Sequence, residues 1–303
     1  MDTHVYLTAY GNKGHDQGII ELLINSNDQV IKHCFQLDGK SNMVVDAGDQ
    51  LITCVQELQG NFLLFFSKSG VLVKRVQTNH FYSYGSISND SLLLASFEEG
   101  LDSSYHLKTG EWHTSIHHRE GATVKGRSHY IKRINDKIIA VDNAYQQLYV
   151  YDDETLKEVQ VVDFENGLNN RLLSYDAHKG LLFLNTELSN ELLVLQASDL
   201  KVIKRIKITE NRSCFSGGNV YYDKGQLICI SMRCENMIYC FRNDDHFPLV
   251  HKIPTKKMPR DLKIIEDRLY VTCSDDHCVE VFSLIDFKKI NEIEVYLPVT
   301  FSM

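Results

Sequence analysis

Five side chains in this 303-residue sequence combine suitable types with matched placements: His129, Arg171, Glu187, Arg233 and Arg260. Arginines present a planar, permanently charged fork that suits a carboxylate or a phosphate. One of them could also stabilise the oxyanion formed at an attacked carbonyl. A carboxylate or an imidazole could take a proton from water and return one to a leaving alkoxide. On that basis Glu187 is expected as the base and His129 as the proton donor or orienting group. The scheme needs no metal and no cofactor. Any one of the five alone reads more simply as a strand-end group tying loops together, and exposed ion pairs contribute little. The five together, at equivalent positions of a repeat, point to function.

Seven segments share one shape, an apolar run, a polar turn and a second apolar or aromatic run. They span 5–24, 51–66, 91–107, 137–152, 180–196, 225–241 and 267–282. With Phe65, His106, Tyr151, Leu195, Phe241 and Phe282 as equivalent points, the spacings are 41, 45, 44, 46 and 41. A period near 43 residues is the length of a four-stranded propeller blade, and the chain holds about seven of them. No segment carries apolar residues at i, i+3, i+4 and i+7 over three turns, so helix is not expected. Polar turns such as 88–90, 176–180 and 222–225 suit hairpins. The first repeat offers strands only at 4–10, 18–24 and 29–37, whereas the last offers four, after which the chain continues as LPVTFSM. The expectation is one all-β domain over 1–303, a seven-bladed β-propeller in which 297–303 supplies the innermost strand of the first blade and closes the ring.

This frame places the five residues. In a hairpin, the residue before the first strand and the residue after the second lie at the same end. Arg171 precedes LLSY and Glu187 follows LLFLNT; His129 and Arg260 precede first strands, and Arg233 follows a second strand. All five are expected on one face, near a central channel.

The later repeats resemble the seven-bladed lactonase family typified by bacterial 6-phosphogluconolactonase and fungal carboxy-muconate cyclase. The family's H-x-H element reads Arg127-Ser128-His129 here, and its G-P-R-H-like element keeps Arg171 but has Leu172 in place of His. LNTELSNELLVL matches the V-x-N-E-L-S element and places Glu187 on the acidic position. SMR stands for S-N-R and gives Arg233; Pro259-Arg260-Asp261 keeps P-R-D intact. Tyr84 replaces a family His, and Ser96-Phe97 replaces N-Y. The resemblance implies a metal-independent hydrolase opening an anionic sugar lactone, with Glu187, His129 and Arg171 catalytic and Arg233 and Arg260 binding substrate. Two alternatives stay open. One is a cyclising, lactone-forming enzyme of the muconate type. The other is a non-catalytic propeller that binds an anion or a protein partner.

Composition narrows the classes further. The formal net charge of −8 argues against nucleic acid as a partner. No apolar run is long enough to span a bilayer. The start MDTHVYLTAYG lacks signal-peptide character, and eight cysteines then read as reduced thiols of a cytoplasmic protein. His113, His117 and His118 are expected as solvated outer-strand residues rather than metal ligands, because neither a strand nor a short turn puts all three on one face. Cys229, Cys234, Cys240, Cys273 and Cys278 lack C-x-x-C spacing and are expected as buried strand thiols. The glycine-rich 11–18 lacks the phosphate-loop pattern and is expected to rim the pocket.

Overall fold

The computed structural model describes residues 3–11, 17–25, 29–165 and 168–302. Every regular element among them is a strand, and the strands form seven four-stranded antiparallel sheets. The first sheet contains β1 (Thr3–Tyr10), β2 (Gln17–Ile24) and β3 (Val30–Gln36). The second runs β4 (Val45–Asp46), β5 (Gln50–Glu57), β6 (Gly60–Ser67) and β7 (Leu72–Thr78). The third runs β8 (Tyr84–Ser88), β9 (Ser91–Ser96), β10 (Leu101–His106) and β11 (Trp112–Ile116). The fourth runs β12 (Ser128–Ile134), β13 (Lys137–Asp142), β14 (Gln147–Tyr151) and β15 (Glu158–Asp163). The fifth runs β16 (Asn170–Asp176), β17 (Leu181–Thr186), β18 (Glu191–Gln196) and β19 (Val202–Lys207). The sixth runs β20 (Ser216–Tyr222), β21 (Leu227–Met232), β22 (Met237–Arg242) and β23 (Leu249–Pro254). The seventh runs β24 (Pro259–Ile265), β25 (Arg268–Cys273), β26 (Cys278–Ser283) and β27 (Lys289–Glu294). The last strand, β28 (Pro298–Phe301), joins the first sheet beside β1, as the missing strand of the first repeat required. Just beyond it, the Ser302 amide donates to the Tyr6 carbonyl at 2.7 Å.

Each apolar–turn–apolar segment is the hairpin of the second and third strands in a sheet. These strands are covered on both faces, so they read as continuous apolar runs: LLFLNT is buried throughout, and so is the centre of ELLVLQ. Fourth strands are mostly exposed or half-buried instead. In β19, Lys204, Arg205 and Lys207 lie on an edge where charge discourages further strand pairing. Hairpin turns repeat at backbone level too, with left-handed Gln146, Asn190, Asn236 and His277 between the second and third strands of four successive sheets.

The contacts gather the chain into two compact units, Met1–Asp163 with Val299–Met303, and Phe164–Pro298. In the first, Phe65, Tyr82 and Leu94 belong to a core between the second and third sheets. In the second, Phe183, Val194, Ile230 and Phe241 fill the space between the fifth and sixth sheets. Leu227, Val271 and Phe282 do the same between the sixth and seventh. No helix of the described residues is long and apolar enough to cross a membrane.

Candidate active site

The innermost strands β12, β16, β20 and β24 all begin with a register break. It falls between Ser128 and Tyr130, Asn170 and Leu172, Ser216 and Asn219, and Pro259 and Leu262. The skipped residues are His129, Arg171, Gly217 with Gly218, and Arg260 with Asp261. A bulge removes a residue from the ladder and re-aims its side chain. Three of the five residues singled out in the sequence are therefore bulge residues inside their strands, rather than residues preceding them. The other two, Glu187 and Arg233, directly follow β17 and β21 as expected.

The bulges of the second unit are braced in a repeated way. The Leu172 amide donates to Asn185 Oδ1 at 3.2 Å, the Gly218 amide to Ser231 Oγ at 2.7 Å, and the Asp261 amide to Thr272 Oγ1 at 2.9 Å. Asn185 does more. Its Nδ2 donates to Ser216 Oγ at 2.8 Å and to the Gly217 carbonyl at 3.1 Å. That carbonyl also accepts from Arg171 Nε at 3.0 Å. Glycine is required at position 217, because a Cβ there would lie 2.4 Å from Ser231 Oγ and 2.8 Å from the Arg260 carbonyl. Asn185 was not singled out in the sequence. Its signal was a single amide inside an otherwise apolar strand, which burial obliges to find partners.

Glu187 sits between two guanidiniums. Arg171 Nη1 lies 3.0 Å from Oε2, and Arg233 Nη1 lies 3.2 Å from Oε1. The side chains of Arg171, Arg233 and Glu187 are 9%, 12% and 20% exposed. The Glu187 amide donates to the Asn169 carbonyl at 2.7 Å, which fixes the residue against the lead-in to β16. Burial holds the Arg171 guanidinium below its ordinary pKa; Glu187 opposes this, and the nearby Arg260 charge adds to it. Arg233 is lowered by burial first, then by Arg171 and Arg260 against the opposing pull of Glu187. Guanidinium basicity leaves Arg171 and Arg233 charged at neutral pH. The charges of Arg171, Arg233 and Arg260 and the carboxylates of Glu187 and Asp261 act on one another here. Among the described residues, the buried Nε of Arg233 has no hydrogen-bond partner.

His129 belongs to the first unit, where its ring meets Phe97 edge-on at 5.5 Å between centroids. Tyr84 packs against Tyr130 at 4.8 Å, and the Arg127 guanidinium lies over the Phe97 ring at 5.3 Å. The expectation for His117 is corrected: its side chain is fully buried, with Nε2 2.6 Å from Asp102 Oδ2 and Nδ1 2.7 Å from Asp142 Oδ2. Burial disfavours the charged ring, but the two carboxylates outweigh it and raise its pKa to about 9. The ring stacks on Tyr149 at 4.0 Å, while Asp102 also accepts from Ser128 Oγ at 2.5 Å and Tyr151 at 2.7 Å. This network anchors the residue immediately before His129. His113 and His118 are exposed, as expected. Cys229, Cys240, Cys273 and Cys278 are buried, but Cys234 is exposed because it follows β21 rather than lying in it. Residues 12–16 of the glycine-rich loop lie outside the described residues.

Seven four-stranded antiparallel sheets, the first completed by the last strand of the chain, define the class of seven-bladed β-propellers. The profile of the family "Lactonase, 7-bladed beta-propeller" matches residues 4–290, and the chain belongs to this lactonase family. No curated protein sequence matches significantly. Among solved structures, a Lactobacillus plantarum protein superposes with a TM-score of 0.89 at 16% identity, covering 100% of this chain and 99% of its own. A periplasmic gluconolactonase from Pseudomonas aeruginosa gives 0.83 at 17% identity, covering 99% and 98%. A Bacteroides uniformis protein provisionally designated a 6-phosphogluconolactonase gives 0.84 at 18% identity, covering 99% of each chain. At these identities the likeness shows the fold.

Proposed function

We propose that this lactonase-family hydrolase opens a sugar lactone carrying a phosphate or carboxylate, without a metal. The observation that carries the proposal is the half-buried Glu187 carboxylate clamped by Arg171 and Arg233, with the charge of Arg260 close enough to act on both. The clustered arginine charges and the unpartnered Arg233 Nε–H suit an anionic group. Each oxygen of Glu187 is held by a guanidinium. A substrate anion that draws Arg233 toward itself frees Oε1 to take a proton from water as the water attacks the lactone carbonyl. Arg171, fixed by Gly217 and Asn185, remains to stabilise the oxyanion. The ring C–O bond then breaks, and the alkoxide takes a proton to give the hydroxy acid. His129 is proposed as that donor on the ground of its sequence position and bulge. The test is proton release from phosphorylated, carboxylated and neutral sugar lactones, with and without chelator. Turnover of the anionic lactones alone, unchanged by chelator, supports the reading; equal turnover of neutral ones, or loss with chelator, defeats it.

A further inference from the structure

Three pairs of cysteines face each other in the second unit. Cys229 and Cys240 are directly opposite on β21 and β22 with Sγ atoms 3.6 Å apart, and Cys273 and Cys278 are directly opposite on β25 and β26. All four are buried. The third pair differs. Cys214 is fully buried ahead of β20, whereas Cys234 is exposed beyond β21. The Cys234 amide donates to Cys214 Sγ at 3.3 Å, the two thiols hydrogen-bond to each other, and the Cys234 thiol donates to the Ser213 carbonyl at 3.4 Å. The Arg233 amide donates to the Phe215 carbonyl at 3.1 Å, so the backbones on either side of the pair are already tied together.

We propose that Cys234 and Cys214 form a reversible oxidation site, at which a hydroperoxide oxidises Cys234 and Cys214 then closes a disulfide. The Cys234 thiolate attacks the peroxide O–O bond, giving the sulfenic acid and releasing hydroxide or alkoxide, which takes up a proton. The Cys214 sulfur then attacks the sulfenic sulfur. An S–S bond forms, the S–OH bond breaks, and the Cys214 proton leaves with the hydroxide as water. A dithiol reductant reverses the change by exchange. Placement decides which thiol reacts first. Cys234 is exposed, so a peroxide in solution meets its sulfur first. Cys214 is shielded until its partner is oxidised. The Cys229–Cys240 sulfurs lie 3.6 Å apart, but both are fully buried and so shielded from a peroxide in solution. The proposed bond would fasten the chain beside Arg233 to the segment leading into Gly217, two of the groups around Glu187.

Trypsin separates the candidates. Cys214 falls in 213–224, Cys229 in 225–233, and Cys234 and Cys240 in 234–242. Folded protein is treated with hydrogen peroxide, its free thiols are alkylated, and the digest is mapped by mass spectrometry. The expected product is a reducible cross-link of 213–224 to 234–242, with 225–233 fully alkylated. In Cys214→Ser the cross-link should vanish and a dione probe should trap a sulfenic acid at Cys234; Cys234→Ser should leave Cys214 reduced. Melting curves before treatment establish that both variants are folded. A cross-link of 225–233 to 234–242 at equal or earlier times would overturn the proposal. So would a wild type whose Cys234 oxidises without engaging Cys214. Neither outcome depends on the substrate.

Discussion

Arg171 and Glu187 meet at 3.0 Å because one occupies the bulge that opens β16 and the other follows the strand paired with it. The same bulge brings Arg171 Nε to the Gly217 carbonyl of the next sheet. One guanidinium is therefore held from two sides, leaving its cationic face committed in direction before any ligand arrives. Such preorganisation is what an anion site needs, since the ordering cost is met during folding.

Anions should bind here and stabilise the fold by mass action. Inorganic phosphate or citrate at a hundred times its dissociation constant should add about 2.7 kcal/mol and raise the melting temperature accordingly. Arg260→Ala should reduce this protection. Because it also removes a like charge acting on Arg171 and Arg233, the loss of protection should exceed any loss of anion-free stability. A purely structural Arg260 would show the reverse, with lower anion-free stability and undiminished protection, in paired thermal scans.

Asn185→Leu keeps the side chain's bulk but removes one acceptor and two donors from a fully buried brace. Leaving such partners unsatisfied costs about 1–3 kcal/mol. Phosphate affinity should fall as well, since Gly217 and the bulge lose the group that positions them for Arg171. Calorimetry and phosphate titration on one preparation check both. Lost stability with unchanged affinity would confine Asn185 to a structural role.

The His117 pair with Asp102 and Asp142 predicts a pH dependence of stability. The folded pKa is raised to about 9, against about 6.5 for an unfolded histidine. The stabilisation is therefore fully present below about pH 6.5 and is lost as pH rises through about 9, a span on the order of 2–4 kcal/mol. Melting temperature should decline across that window in the wild type. His117→Gln should start lower and decline much less; an equal slope in both would refute the assignment.

Closure can be tested by removing 298–303. β28 then leaves β1 as a bare edge, and the Ser302–Tyr6 hydrogen bond is lost. The shortened chain should melt without cooperativity or self-associate. An unchanged melting curve would mean that the strand contributes nothing to the fold.

What the sequence showed and what it hid follow from how signals are generated. The second and third strands of each sheet were legible because burial on both faces makes runs such as LLFLNT and LLVL continuous. β28 was legible from the missing strand of the first repeat. The two-residue β4 left no pattern. The bulges at His129, Arg171 and Arg260 are invisible because a register break changes geometry without changing composition, so hairpin pattern alone puts these residues just ahead of their strands. The burial of His117 is not legible because β11 ends at Ile116, and the carboxylates that hold it lie in β10 and β13. Glu187 and Arg171 were found by their position at one end of a hairpin. Gly217 is not legible because it acts through its backbone carbonyl, and Asn185 because a lone amide in an apolar strand does not show which groups it holds.

Turnover of an anionic sugar lactone by Glu187→Gln, measured beside phosphate affinity on the same folded preparation, tests the central claim most directly. The substitution keeps size and removes the basic carboxylate. If Glu187 takes the proton from water, the turnover number should fall by about 10²–10⁴-fold, with phosphate still bound at Arg171, Arg233 and Arg260. Wild-type turnover in a folded Glu187→Gln protein would contradict the account and remove Glu187 from the chemistry.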